Sequence, residues 1–303
     1  MHHHNDWYGH VRLLARYAGL PASPVPPRLW GYLQHGWNVY DGFGARTPIT
    51  AGMPRFVWSE AARRRGWAAG GTGYRLIGAP WAYLLLLEPA APRPDRSGTI
   101  FYPFHGFEKQ KVSGDHRRLA KEIRVNEPGD VTVCLYWLDA RNPKIRGFYE
   151  DAGFRVVCHG YRGDRSRPGD ATFLARQLTE LRRHARVASN RLSTALLYGA
   201  SVGCEVGVYG PEMVIDDEPA VYGGNDRIRR LWPEMHQVRV PVAESAAFAH
   251  EELGMDHLMS PAELAEACGW SEQVGGACVP ALSGPIADGA RSGRIAAQQA
   301  GVR

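Results

Sequence analysis

An α/β fold of two Rossmann-like halves, the second built on a parallel sheet, follows from three features of the 303-residue chain. Apolar runs of strand length alternate with amphipathic stretches of helix length through the second half, the pattern of parallel strands joined by crossover helices. A stretch rich in proline and charge, Pro89 to Gly98, interrupts the pattern and divides the chain. Hydrophobic residues make up 44% of the sequence, enough to bury a substantial core.

The elements follow in order. A helix is expected over Tyr8 to Tyr17, broken by the prolines of Pro21 to Pro27. A strand over Leu29 to Gln34 leads into a Gly-rich loop, then a strand over Arg55 to Trp58, a helix over Glu60 to Arg65 and a strand over Tyr74 to Ile77. The apolar run Ala79 to Leu87 reads as a buried strand. Beyond the break, strands are expected over Thr99 to Tyr102, Val131 to Trp137, Arg155 to Cys158, Arg186 to Ala188 and Glu205 to Tyr209. Helices are expected between them, over Asp115 to Ile123, Pro143 to Ala152, Ala171 to His184 and Ser193 to Gly203. The third of these is amphipathic, with Phe173, Leu174, Leu178 and Leu181 on one stripe. Right-handed crossovers then gather the strand ends on one edge. A last helix over Pro261 to Gly269 starts at a Ser260 cap with proline in its first position. No internal repeat is present. The expected organisation is a short α/β domain over 1–92, a larger Rossmann-like domain over 97–280 and a flexible tail over 281–303.

Composition narrows the function. No run of about 18 apolar residues exists, so no transmembrane helix is expected, and the N-terminus carries no apolar segment of a secretory signal. Five dispersed cysteines without a CxxC pair argue against a disulfide framework and against structural zinc. A cytoplasmic location is therefore expected. The net charge of +5 suits an anionic ligand such as a nucleotide, or reflects arginine-rich composition alone. Nucleic acid is disfavoured, because Arg63–Arg64–Arg65 and Arg182–Arg183 lack interleaved aromatics. The His2–His4 run is left out of any site.

In open parallel sheets, ligands bind beyond the carboxyl ends of the strands. The loops at those positions are polar and Gly-rich. Gln34–His35–Gly36–Trp37–Asn38 offers a histidine base beside a close-approach glycine, or an ordinary turn. Phe101 to Glu108 carries His105 and Glu108, or is a loop stiffened by Pro103. Tyr136–Trp137–Leu138–Asp139 offers aromatics for stacking on a base, or simply ends a core strand. His159–Gly160–Tyr161–Arg162 repeats the His-Gly pairing. Ser189–Asn190–Arg191–Leu192–Ser193–Thr194 is the most informative, because a strand ends, a small polar turn follows and a helix begins. That helix start presents unpaired amides and the positive dipole end to a phosphate, or is ordinary N-capping. Neither a Walker loop nor a GxGxxG turn is present. Gly199–Ala200–Ser201–Val202–Gly203 matches a nucleophile elbow in letters only, since it falls within a helix.

The succession Gln34–His35–Gly36–Trp37, Ile77–Gly78–Ala79–Pro80, Pro103–Phe104–His105, Val133 to Trp137 and Ser189 to Thr194 resembles bacterial GT-B-type glycosyltransferases of the capsule and lipopolysaccharide kind. The likeness spans roughly residues 28 to 270 and lies in order and spacing rather than in one motif. It implies two Rossmann-like domains facing across a cleft, the first holding a hydroxyl acceptor and the second a nucleotide-sugar donor, with no metal and no other cofactor. It implies that Ser189, Asn190, Arg191, Ser193 and Thr194 grip the donor phosphate, with His159, Tyr136 and Glu205 as further contacts to the nucleotide sugar. It implies His35 as general base, with Asp41 or Glu60 as substitutes, and His105 on the phosphate or sugar. The chain departs from the pattern in two ways. The N-terminal half is short for such a domain, and Pro103 and His105 do not form the His-Pro pair of the families that use CMP-activated sugars. A sugar-nucleotide epimerase or polyol-phosphate transferase would use the same phosphate site, and a non-catalytic partner subunit would carry it in degenerate form. A homo-oligomer is compatible with either.

Overall fold

The computed structural model describes residues 5–44, 47–90, 95–108, 110–163, 167–218 and 223–274. His2–His4, Cys278, positions 91–94 of the proline-rich break and the tail expected over 281–303 lie outside the described residues.

The chain opens with a 3-10 turn and helix α1 (His10–Tyr17). Three short strands, β1 (Tyr32–Leu33), β2 (Arg55–Val57) and β3 (Tyr74–Leu76), form a parallel sheet in the order β1-β2-β3, with α2 (Glu60–Ala68) between the last two. Helix α3 (Pro80–Leu87) follows. The chain then runs through β4 (Thr99–Tyr102), β5 (Val112–Ser113), α4 (His116–Asn126), β6 (Val131–Cys134), α5 (Trp137–Ala140), α6 (Pro143–Glu150) and β7 (Arg155–Val157). It continues with α7 (Phe173–Arg183), β8 (Arg186–Ser189), α8 (Thr194–Ser201), β9 (Glu205–Val208) and β10 (Val214–Ile215). Helices α9 (Gly224–Leu231), α10 (Val242–Leu253), α11 (Pro261–Cys268) and α12 (Ser271–Val274) close the described chain. The large sheet is parallel in the order β7-β6-β4-β8-β9, and β5 pairs antiparallel with β10 apart from it.

Both faces of the large sheet are covered, and alternation along each strand decides which side chain serves which face. Ile100, Cys134, Val187 and Val206 meet Leu174, Leu178 and Leu181 of α7 and Leu196 and Leu197 of α8. Their sequence neighbours Phe101, Val133 and Ala188 meet Leu119 and Ile123 of α4 and Tyr149 of α6. The small sheet divides the same way: Phe56 packs with α1 and α11, and Val57 with Ala62 of α2. One buried cluster joins Trp37, Trp58, Trp81 and Leu84 to residues of the large sheet, so the two sheets share a core at their seam.

Three expectations are corrected. Ala79 to Leu87 is not a strand but the helix α3, begun by Pro80 at its first position. Two of its sides are buried, since Tyr83 packs with α1 and α11 while Trp81 and Leu84 enter the seam, and Leu86 is left exposed. A short wholly apolar run has no period to separate strand from helix. The strand expected through Trp137 stops at Cys134, and α5 begins at Trp137. The strand expected over Leu29 to Gln34 is reduced to the two residues of β1.

After β9 the chain returns across the seam. Ala249 and Leu253 of α10 join the cluster that holds Leu196, Leu197 and Ala200 of α8. The helix ends at Gly254, whose φ of +63° and close approach to Trp58 leave no room for a side chain, since a Cβ would lie 1.8 Å from the Trp58 carbonyl oxygen. Helix α11 starts as expected: Ser260 accepts from the Glu263 amide and Glu263 accepts from the Ser260 amide, a complete capping box. Ser260→Ala is expected to cost about 1 kcal/mol and lower Tm by roughly 2–4 °C, read by calorimetric melting.

Candidate functional site

The order of the large sheet fixes where a ligand sits. From β4 the chain steps outward to β6 and β7, then returns past β4 to β8 and β9. The direction reverses between β4 and β8, and a crevice opens beyond the carboxyl ends of adjacent strands at such a point. Its walls are the loops after Tyr102 and after Ser189.

The β8 loop divides into a scaffold and an open end. Asn190 Oδ1 accepts from the Phe104 amide at 2.7 Å, and its Nδ2 donates to the Pro211 carbonyl at 3.0 Å. One carboxamide thus ties together the loops after β4, β8 and β9. Arg191 is 6% exposed, pairs with Glu218 at 2.6 Å and lies 4.4 Å over the Phe104 ring. Ser189 is buried and accepts from the Arg191 amide. These three expected phosphate ligands are therefore committed to the protein. Ser193 and Thr194 differ. Ser193 caps α8 with extended backbone but makes no side-chain capping bond, and Ser193, Thr194 and Ala195 all remain part-exposed. Of the first-turn amides, that of Leu196 donates to the Ser193 carbonyl at 3.1 Å, and those of Thr194 and Ala195 have no partner within the helix.

The other sheet reaches the same place. The Trp37 amide donates to Thr194 Oγ1 at 2.9 Å, and a Cβ on Gly36 would lie 3.5 Å from that oxygen. The loop after β1 therefore borders the start of α8. His35 stacks on Trp7, with ring centroids 4.9 Å apart, and Trp7 in turn lies 4.2 Å from the Arg162 guanidinium.

Arg162 anchors the second wall. It is 8% exposed, donates from Nε to the Tyr136 hydroxyl at 2.6 Å and pairs through Nη2 with Glu108. Glu108 also accepts from Tyr136 at 2.7 Å and from Trp137 Nε1 at 3.1 Å. Burial pushes its carboxyl up, but these donors win and hold it down at about 2. His105 lies flat on Tyr136, centroids 4.2 Å apart and planes within 1°. Its Nδ1 is 2.6 Å from the Gly106 carbonyl. A carbonyl only accepts, so Nδ1 carries the proton and Nε2 keeps its lone pair. Burial and the Arg162 charge push the imidazole down to about 4, so it is neutral at pH 7.

Several expected site residues are not brought here. Glu205 opens β9, at the amino edge, and is held by Arg186 and Arg239. Asp41 is buried on the small sheet, accepting from Tyr74 at 2.7 Å and from the Phe43 amide at 3.0 Å. Glu60 pairs with Arg63 and Arg64 of its own helix. His159 is 4% exposed, bonded to Tyr102 at 2.9 Å and packed edge-on against Phe173. Its position is interior, and burial pushes it down to about 4. Ser201, within the GxSxG letters, lies on α8 and donates to the Tyr198 carbonyl, so no nucleophile elbow exists. Trp7 and Tyr8 belong to the site surroundings and were missed. Tyr8 holds a left-handed φ of 60° and its amide donates to the Arg162 carbonyl, which straps the N-terminal segment across the edge. An aromatic pair ahead of the first helix was its only trace in the sequence. Among the described residues, no group of three or more His, Cys, Asp or Glu side chains is placed to hold a metal ion. No described helix is long and apolar enough to cross a membrane.

No protein-family model matches the chain. No curated protein matches it in sequence. Among solved structures, an S. aureus TarM G117R mutant in complex with fondaparinux, alpha-GlcNAc-glycerol and UDP is similar over 80% of this chain and 48% of its own, at 10% identity and a TM-score of 0.33. The chain thus spans about half the length of that protein, and a likeness of this size assigns neither family nor activity.

Proposed function

We propose that the chain transfers a sugar from a nucleotide-activated donor to a hydroxyl acceptor, with no metal in the reaction. The observation that carries this reading is the open start of α8 at the reversal point of the large sheet, facing the Gly36–Trp37 loop of the small one. A diphosphate or monophosphate leaving group meets there the positive end of a helix, the Thr194 and Ala195 amides and the Ser193 hydroxyl. Thr194 Oγ1 already accepts from Trp37, so its own proton is left to donate to the phosphate. Stabilising negative charge as it develops on the departing nucleotide is the main catalytic demand. The acceptor hydroxyl must lose a proton, and His105, a part-exposed residue, has its Nδ1 proton on the Gly106 carbonyl and its Nε2 lone pair left to take one. His35, across Trp7, is the second base in reach of the same region. Asn190 and Arg191 act as positioning residues for the crevice walls rather than as ligands.

A thermal-shift panel of CMP, UDP, GDP and dTDP tests the reading. A ligand at about 100 times its Kd stabilises by roughly 2.7 kcal/mol, or roughly 5–10 °C. At least one nucleotide is expected to give that shift, and Ser193→Ala is expected to remove most of it without changing the ligand-free Tm by more than about 1 °C. No shift from any of the four sinks the proposal.

A further inference from the structure

One guanidinium stands between the two histidines named above as bases. His105 comes from the loop after β4 of the large sheet, and His35 from the loop after β1 of the small one. Arg162, from the loop after β7, connects to both. Its Nε donates to the Tyr136 hydroxyl at 2.6 Å, and the Tyr136 ring lies flat on His105 at 4.2 Å. Its guanidinium carbon lies 4.2 Å from the Trp7 ring centroid, and Trp7 stacks on His35 at 4.9 Å. The five side chains form one row, His105–Tyr136–Arg162–Trp7–His35, with the cation at its centre.

The centre is the fixed point of the row. Arg162 is buried and pairs through Nη2 with Glu108, which also accepts from Tyr136 and Trp137. A guanidinium presents its donors in a rigid plane, so two bonds to fixed acceptors set its orientation as well as its place, and its charge favours the face of an indole. The backbone is fixed too. The Arg162 carbonyl accepts from the Tyr8 amide at 2.6 Å, which brings the neighbouring Trp7 into place. Gly163 has a φ of +95° and no room for a side chain, since a Cβ would lie 2.7 Å from the Gly169 nitrogen. We infer that Arg162 is the positioning residue for both histidines, holding His105 through Tyr136 and His35 through Trp7, so that imidazoles from two different sheets are set together. The inference rests on the transferase reading only in calling those imidazoles bases.

Long-range proton–nitrogen correlation NMR on the full chain follows each imidazole by tautomer, ring signals and titration midpoint, and needs no substrate. Besides the Gly106 carbonyl, the charged groups beside His105 are Arg162 and Glu108, of opposite sign, and Tyr8 and Tyr136 also face Arg162. The parent is expected to carry the His105 proton on Nδ1 and to keep the ring neutral down to about pH 4. Arg162→Met removes the cation and leaves Glu108 charged. It is expected to raise the His105 midpoint by about one pH unit or more and to move the ring signals of both histidines. Arg162→Lys keeps the charge without the planar fork, so the midpoint is expected to return to about 4 while both sets of ring signals stay displaced. Trp7→Leu is expected to move His35 alone, because Glu108 and Tyr136 still hold Arg162. Tyr136→Leu is expected to move His105 alone, because Glu108 and Trp7 still hold Arg162. Should Arg162→Met fail to fold, Glu108→Gln, at a side chain 24% exposed, decides instead. It loosens the same guanidinium, so both histidines move, and it removes an anion, so the His105 midpoint falls. His250, exposed and bonded to Asp256, stays in place in every variant. The inference is overturned by an Arg162→Met protein, or a Glu108→Gln protein in its stead, in which either histidine keeps its signals. Single variants at Trp7 and Tyr136 that each displace both rings overturn it as well. Should that happen while Ser193→Ala still abolishes nucleotide binding, the transferase reading stands alone. Histidines coupled in this pattern in a protein that binds no nucleotide uphold the role of Arg162 and sink the transferase reading.

Discussion

Glu252→Ala is expected to lower the folding free energy by about 3–5 kcal/mol, a fall in Tm of roughly 10 °C. Glu252 lies near the end of α10 with its side chain 3% exposed, facing Arg65 of α2 at 2.6 and 2.7 Å through both oxygens. The same carboxylate accepts from Trp37 Nε1 at 2.9 Å. Alanine leaves a guanidinium, only 18% exposed and lying over Trp232, with one remaining partner, the Tyr40 carbonyl. It also strands a buried indole N–H. Removing one member of a buried pair costs more than the pair contributes, because the other charge stays behind without solvent. The effect reaches the site. Trp37 is held by Glu252 on its ring and by Thr194 on its amide, so loosening the ring frees the loop that borders α8. Calorimetric melting gives the stability, and a reduced nucleotide shift gives the coupling. A loss below about 1 kcal/mol would mean that Arg65 simply turns into water.

The large sheet was legible where a short apolar run and an amphipathic helix are separated by polar turn residues. Period and punctuation agree there, as at Val131 to Cys134 and at Phe173 to Arg183. The reversal between β4 and β8 was not, since strand order depends on pairings between distant segments. Ser193 and Thr194 could be read as a helix start from local chemistry alone. Whether Ser189, Asn190 and Arg191 point into the crevice or brace its walls depends on Phe104, Pro211 and Glu218, none of them local. The errors have the same origin. Asp41 and Glu60 look free in a sequence and are claimed by Tyr74, Arg63 and Arg64 in space. Helix α9 gave no apolar period long enough to notice, only two glycines beside a buried asparagine.

His10→Leu is expected to stabilise the protein, and by an amount that grows in acid. His10 begins α1 and is fully buried, between Tyr8 and Trp58, with neither ring nitrogen hydrogen-bonded. Burial alone pushes its pKa down to about 3, against about 6.5 in an unfolded chain. Above pH 6.5 both states are neutral and the histidine costs only its unpaired N–H, about 1–3 kcal/mol, partly offset in the variant by imperfect shape at about 1 kcal/mol. Below pH 6.5 the unfolded chain takes up a proton that the folded protein refuses until about pH 3. Stability is therefore lost at about 1.4 kcal/mol per pH unit across that window, or about 2.7 kcal/mol by pH 4.5. Leucine has no proton to take up, so its advantage over the parent should widen by that amount between pH 8 and pH 4.5. Asp6, which burial pushes up to about 6, titrates in the opposite sense but is present in both proteins and drops out of the difference. Denaturant melts at the two pH values measure it. A gap that stays constant from pH 8 to pH 4.5 would show that His10 takes up its proton in the folded state, which requires water or a partner at the seam where Tyr8 straps the site edge.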